Sequence, residues 1–292
     1  MRRARKFAVL GAVIGGIGLA GAVSASATVI GIAHGIKYVQ TTNSIAGGGA
    51  PWSGATGCGS GWLAMSGGTD LTGQPAEARM TSSFVGVSHL NWKSAGYNTG
   101  SGKNLSTVGL CRHDTATIDY VSNRVAISAG SPVKPTVLTA SAGCPANRSI
   151  ASGGVQIEGP VSDVHISRSF PVVASQLWRV TVVNNGAARH FTVTAECLPS
   201  GAGLTYSSSG FPQAVTANGF SVDMPCPTSA TIPIGGGLKW DGSQAQVHIS
   251  NAGPIDMAGG VSSIPDAVWR IGTNNDAGAT KLLTAYVVCK PA

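Results

Sequence analysis

The chain has 292 residues, with 19 basic and 12 acidic side chains and a formal net charge of +7. Four of the cations, Arg2, Arg3, Arg5 and Lys6, lie at the extreme N-terminus; the rest of the chain has 15 basic against 12 acidic residues, about +3, without the clustered basic stripe that nucleic-acid binding calls for. With 41 glycines and no uninterrupted helical period after Ile36, the composition excludes a helical bundle and predicts an all-β fold with many turns.

Residues 1–27 read as an export signal. A basic start is followed by an apolar run from Phe7 to Val23 and by Ala25-Ser26-Ala27, an A-x-A cleavage site. Cleavage after Ala27 leaves 265 residues, secreted or associated with the cell surface. The uncharged run continues to Ile36, long enough to span a bilayer if never cut, but the glycines and the cleavage site favour release. Arg2-Arg3 suggests a twin-arginine signal, which the flanking residues fit poorly.

A pattern then occurs three times, dividing the chain into copies at 28–112, 113–198 and 199–292. Cys58, Cys144 and Cys226 are each followed nine and ten residues on by a glycine pair, Gly67-Gly68, Gly153-Gly154 and Gly235-Gly236. Trp92 and Trp178 lie 34 residues after their cysteine and Trp269 lies 43 after, so the third copy carries an insertion, placed around Asp256 to Pro265. Asn98, Asn184 and Asn275 sit six residues beyond each Trp, and Cys111, Cys197 and Cys289 close the copies 19, 19 and 20 residues beyond it. A tyrosine leads each copy: Tyr38, Tyr120 and Tyr206. A fixed period of this kind marks a repeat architecture.

Six cysteines in an exported chain imply three disulfides. Equal treatment of the copies leaves pairing within each copy, Cys58 to Cys111, Cys144 to Cys197 and Cys226 to Cys289, or pairing between neighbours with circular closure. The first is preferred, because a unit of about 85 residues buries a modest core and gains most from its own bridge. Isolated cysteines without a Cys-x2-Cys spacing do not suit a metal, and no metal or other cofactor is expected.

In the central copy the strands are legible at 149–157, 164–173, 177–183 and 190–198. Lead strands fall around 37–41, 118–121 and 204–207, for five or six strands per copy. Asn184-Asn185-Gly186 joins the last two as a hairpin, through residues that tolerate positive φ. A glycine pair weakens a strand unless something packs over it, so each tryptophan is placed over a glycine of its own copy: Trp178 over Gly153 or Gly154, and likewise elsewhere. The expected fold class is thus three tandem antiparallel β-sandwich-like repeats, each with one internal disulfide. Short connections favour a closed body with pseudo-threefold symmetry over three beads.

Each repeat Trp is followed by a cation, Lys93, Arg179 and Arg270, which faces solvent if the indole points inward. The three form a candidate symmetric contact for an anionic partner, against the plainer reading of solvated strand faces. Trp240, flanked by Lys239 and Asp241, has no counterpart in the other copies and is a candidate exposed indole for stacking on a sugar ring, against ordinary packing at a module join. Trp52 and Trp62 are also outside the pattern. No catalytic residues are assigned. Ser66-Gly67-Gly68 and Ser152-Gly153-Gly154 faintly resemble a serine-protease nucleophile segment, yet they recur in one slot, where the third copy has Ile234, and no fixed base accompanies them. Asp70, Glu77, Glu158 and Asp163 show no recurring pair that would make a glycosidase dyad. His165 and His248 share a slot with Arg79, read as a surface strand position.

The run Cys144-Pro145, Gly153-Gly154, Ser169-Phe170-Pro171, Trp178, Asn184 and Cys197 resembles a module that recurs in secreted proteins of actinobacteria, and the resemblance covers nearly all of the chain after residue 27. The first copy departs from it, with Gly59 in place of the proline after the cysteine and Val85 in place of Pro171. The resemblance implies no defined activity and carries over no catalytic residues. The expected function is a non-catalytic structural or interaction protein of the cell envelope, with a cell-wall polymer, a glycan or another secreted protein as partner. The alternative is a carbohydrate-binding protein that uses Trp240.

Overall fold

A computed structural model describes residues 27–71, 77–113, 117–213, 219–256 and 267–292. The stretch read as an export signal at 1–27 lies outside the described residues except for Ala27, and the insertion expected around Asp256 to Pro265 lies outside them except for Asp256. An unanticipated strand, β1 (Thr28–Ala33), opens the described chain and turns back through His34 and Gly35, whose φ values of 51° and 73° are those of a two-residue hairpin.

Each segment then contributes six strands. The first has β2 (Ile36–Ile45), β3 (Ala50–Gly57), β4 (Trp62–Leu71), β5 (Ala78–Val85), β6 (Asn91–Asn98) and β7 (Lys103–His113). The second has β8 (Asp119–Ile127), β9 (Thr136–Gly143), β10 (Arg148–Ile157), β11 (Val164–Val172), β12 (Leu177–Asn184) and β13 (Arg189–Pro199). The third has β14 (Thr205–Gln213), β15 (Phe220–Met224), β16 (Thr231–Trp240), β17 (Val247–Asp256), β18 (Ala267–Asn275) and β19 (Lys281–Pro291). The strands read from the central copy are β10 to β13 within a residue or two, and the lead strands are β2, β8 and β14. The second strand of each segment, β3, β9 or β15, had no assignment.

Within a segment the first strand pairs with the sixth and the sixth with the third, while the second pairs with the fifth and the fifth with the fourth. The three sulfur bridges join Cys58 to Cys111, Cys144 to Cys197 and Cys226 to Cys289, as preferred from the sequence. Each fixes the link between the second and third strands to the sixth. Closing loops of 53, 53 and 63 residues stabilises each segment by about 4 kcal/mol in the chain-entropy account.

The expected set of three self-contained sandwiches does not hold. Hydrogen bonding passes from β5 to β10 and from β11 to β16, so the strands form four sheets, in the orders β1-β2-β7-β4, β3-β6-β5-β10-β13-β8, β14-β19-β16-β11-β12-β9 and β15-β18-β17. These follow one another as a propeller-like ring of four, closed where β4 lies beside β17. The recurrence survives as a pairing pattern rather than as separate units. The physical reason lies in the second glycine of each pair. A Cβ on Gly68, Gly154 or Gly237 would overlap the backbone carbonyl of Ala252, Ser83 or Ser169, so only glycine lets the adjoining segment's fourth strand come this close.

A bulge in each third strand sets the interior. Register shifts between Ala64 and Ser66, Ile150 and Ser152, and Pro233 and Gly235 leave Met65, Ala151 and Ile234 as extra residues. All three are fully buried and meet in one apolar cluster with Tyr38, Leu110, Leu198 and Val288. A larger cluster runs through all three segments and includes Trp178, Trp240, Trp269, Ile166 and Phe191. The apolar interior is therefore shared, which three beads would not allow.

Candidate functional site

Trp92, Trp178 and Trp269, on β6, β12 and β18, are 1–2% exposed and lie on Gly67, Gly153 and Gly236. The indole contact anticipated from the spacing is present in each segment. In the first two the indole nitrogen also donates to a serine on the fourth strand, Trp92 Nε1 to Ser83 Oγ and Trp178 Nε1 to Ser169 Oγ, both at 3.0 Å. The third segment has Ala252 at the corresponding register, opposite Ile271, and among the described residues Trp269 Nε1 has no hydrogen-bond partner. The glycine assignment there is corrected by one residue. The equivalent pair is Gly236-Gly237, because one extra residue separates it from Cys226, and Gly235 stands where Ser66 and Ser152 stand in the other segments. Ser66 and Ser152 are themselves buried, and the Ser152 hydroxyl donates to Ser66 Oγ at 3.0 Å.

The repeated asparagines have a role that spacing alone did not show. None adopts positive φ. Instead Asn184 Nδ2 donates to the carbonyls of Ser128 at 2.9 Å and Ala187 at 2.8 Å, while its Oδ1 accepts from the Gly186 amide at 3.2 Å. Asn98 and Asn275 make the same kind of contacts, to Ala46 and Ser101 and to Gln213 and Ala279. The last two strands do not form the expected hairpin, since the fifth pairs with the second and fourth and the sixth with the first and third, in different sheets; each buried amide instead ties the turn between them to the end of the first strand. Two further repeated features were missed. The acid just before the fourth strand pairs with the base that opens the sixth, Glu77 with Lys103 and Asp163 with Arg189. Tyr120 and Tyr206 donate from their hydroxyls, each at 2.8 Å, to the carbonyls of Ala64 and Ile150 in the preceding segment. The tyrosine spacing was the available signal for the second.

The three cations after the tryptophans are not equivalent, which corrects the symmetric set. Lys93 is exposed. Arg179 Nε donates to Ser141 Oγ at 3.3 Å, and Arg270 makes a two-pronged contact with Asp223, at 2.8 Å on each prong. The difference lies in what each faces on the second strand: Ala55, Ser141 and Asp223 respectively. Trp240 is also corrected. It lies on β16, fully buried, with Nε1 donating to Thr273 Oγ1 at 3.2 Å, because the strand extends through the stretch read as a loop. Trp52 is buried as well, and Trp62 lies under the Lys37 ammonium with its edge against His113.

His165 and His248 are interior, not at the surface. β5, β11 and β17 converge, so the two imidazoles meet edge to face at 6.0 Å, both buried. Burial, then the nearby Arg79 guanidinium, pushes His165 down to about 3; the Val247 backbone opposes this weakly, yet neither ring nitrogen closes a hydrogen bond. Asp276 lies 3.6 Å from His248 Nδ1 and 3.8 Å from Arg79 Nη2. On β13 the Glu196 carboxyl is fully buried, and burial raises it well above the usual range against smaller opposing effects of its own backbone and then the Ser152 hydroxyl.

A cavity of about 20 Å³ lies among Gly153, Gly236, Trp178, Trp269, Ile166 and Ile249. That is room for about one water and not for a sugar ring. Among the described residues no group of three or more His, Cys, Asp and Glu side chains is placed to hold a metal ion, and no helix is long and apolar enough to cross a membrane. Set against known proteins, the chain matches no family model and no curated protein.

Proposed function

We propose that this chain is a secreted, non-catalytic interaction scaffold of the cell envelope, of the kind found in the actinobacterial proteins it resembles. One observation carries the reading. The residues that recur hold strand to strand: indole on glycine, amide on turn carbonyls, cysteine to cysteine, tyrosine hydroxyl on the preceding segment. Three bridges suit an oxidising compartment, and a shared apolar interior suits a rigid body that presents its outer faces to a partner. Trp240 gives no support to sugar stacking, since its indole is enclosed.

The test incubates the purified protein, residues 28–292, with purified cell walls. Both sedimentation with the wall and release of soluble fragments are measured. The expected result is retention without fragment release. Release of reducing ends or peptides above background, or failure to sediment, overturns the reading.

A further inference from the structure

The six-stranded sheet β14-β19-β16-β11-β12-β9 turns one face outward, and its charges differ from those of the corresponding outer faces. Around Arg270 the cation is matched by Asp223, with Asp70 close enough to interact with both. On the sheet that carries Lys93, Arg124 pairs with Glu158 at 2.8 Å. Here Arg168, Arg179 and Lys239 share the face on adjoining strands, Lys281 reaches its edge from the opposite pleat, and among the described residues none of the four forms a salt bridge.

Their polar contacts are neutral instead. Arg168 donates to the carbonyls of Trp240 and Gly242, Lys281 to the carbonyl of Ser243, and Arg179 to Ser141 Oγ. The charges also act on one another. Burial lowers Arg168, the exposed Asp241 opposes this by attraction, and Arg179 adds a smaller lowering, while burial and then Arg168 lower Lys281. Bringing like charges together on a folded sheet costs free energy unless an anion offsets it. Beside them Phe170 and Tyr286 stack at 5.4 Å, with Tyr286 partly open to solvent. Strands about 4.8 Å apart make this face roughly 25 Å wide, the span of several sugar units.

We propose that this face binds a linear acidic polysaccharide, its carboxylates on Arg168, Arg179 and Lys239 and a sugar ring against Tyr286. The inference rests on the scaffold reading and names its partner. A sheet face with cations spread over three adjoining strands suits an extended chain of spaced negative charges, and an aromatic ring with one polar end suits a sugar's mixed surface.

The test measures binding of purified protein to polygalacturonate, neutral dextran and duplex DNA. The variants are Arg179→Glu/Lys239→Glu, its milder form Arg179→Gln/Lys239→Gln in case the charge reversal fails to fold, and Lys93→Glu on another face as control. Thermal midpoints check folding. Polygalacturonate should bind and dextran should not. Affinity should fall about tenfold or more in the folded double variant and by a similar factor in high salt, with Lys93→Glu within about twofold of wild type. No binding to polygalacturonate, equal loss in Lys93→Glu, an unchanged double variant, or tighter binding to DNA each overturns the proposal. Sedimentation with walls that persists without polygalacturonate binding removes this face and leaves the scaffold reading standing; loss of sedimentation removes the scaffold reading itself.

Discussion

Trp269 and Ala252 stand in the relationship that Trp178 and Ser169 hold one segment earlier, but without the hydrogen bond: the alanine offers no oxygen to the indole N–H. In the other two segments the serine accepts at 3.0 Å. A buried donor without a partner costs about 1–3 kcal/mol.

Ala252→Ser should therefore stabilise the protein by about 1 kcal/mol, read as a rise in the urea midpoint at unchanged slope. Ser169→Ala should lower the midpoint by a comparable amount. An Ala252→Ser protein no more stable than wild type would show that the indole is satisfied in some other way.

Gly68→Ala addresses ring closure. The added Cβ would overlap the Ala252 carbonyl, a backbone atom that cannot rotate aside. The expected cost is about 1–3 kcal/mol or more, with faster amide exchange confined first to β4 and β17 while all three bridges remain formed. Unchanged exchange on those two strands would contradict the seam described above.

Asn184→Ala should destabilise by more than about 2 kcal/mol, because the side chain donates to two carbonyls and accepts from one amide within a buried turn. Asn184→Asp keeps the acceptor and loses the donors, and should recover only part of the difference. Thermal unfolding followed by circular dichroism measures both. A loss under 0.5 kcal/mol, roughly that of an ordinary surface change, would remove the structural role of the repeated asparagine.

Two buried ionisable groups pull stability in opposite directions with pH. His165 is held down to about 3 in the fold, whereas in the unfolded chain it takes a proton near 6.5. The unfolded state thus binds more protons in that window, and this contribution is lost as pH falls from about 6.5 towards 3, by up to about 1.4 kcal/mol per pH unit. Glu196 is raised well above its ordinary value, so the folded state keeps a proton that the unfolded chain releases above about 4.3, and stability falls as pH rises. Denaturation midpoints between pH 4 and pH 8 should show a shallower acid slope in His165→Leu and a gain that grows with pH in Glu196→Gln. Slopes identical to wild type in either variant would contradict its assignment.

The covalent and short-range features were legible from residue order alone. Cysteine spacing led to the bridges, the offsets led to each indole over a glycine of its own copy, and alternation led to β10 through β13. The second strands were not legible, because stretches such as β3, with Pro51, Gly54 and Gly57, have the composition of loops. Counting also misplaced the third glycine pair by one, since an inserted residue next to a bulge shifts the register without changing the motif.

By itself, then, the sequence determined the repeated strands on either side of the second one, the indole over its glycine and the sulfur bridge, because these depend on contacts inside one segment. Only the tertiary structure decided that the units merge into a ring of four sheets, that Trp240 and the two histidines are enclosed, and that one outer face holds cations which, among the described residues, form no salt bridge. Those outcomes depend on how closely the backbones of different segments approach, and that approach is set jointly by glycines and bulges in separate copies, which no single offset along the chain encodes.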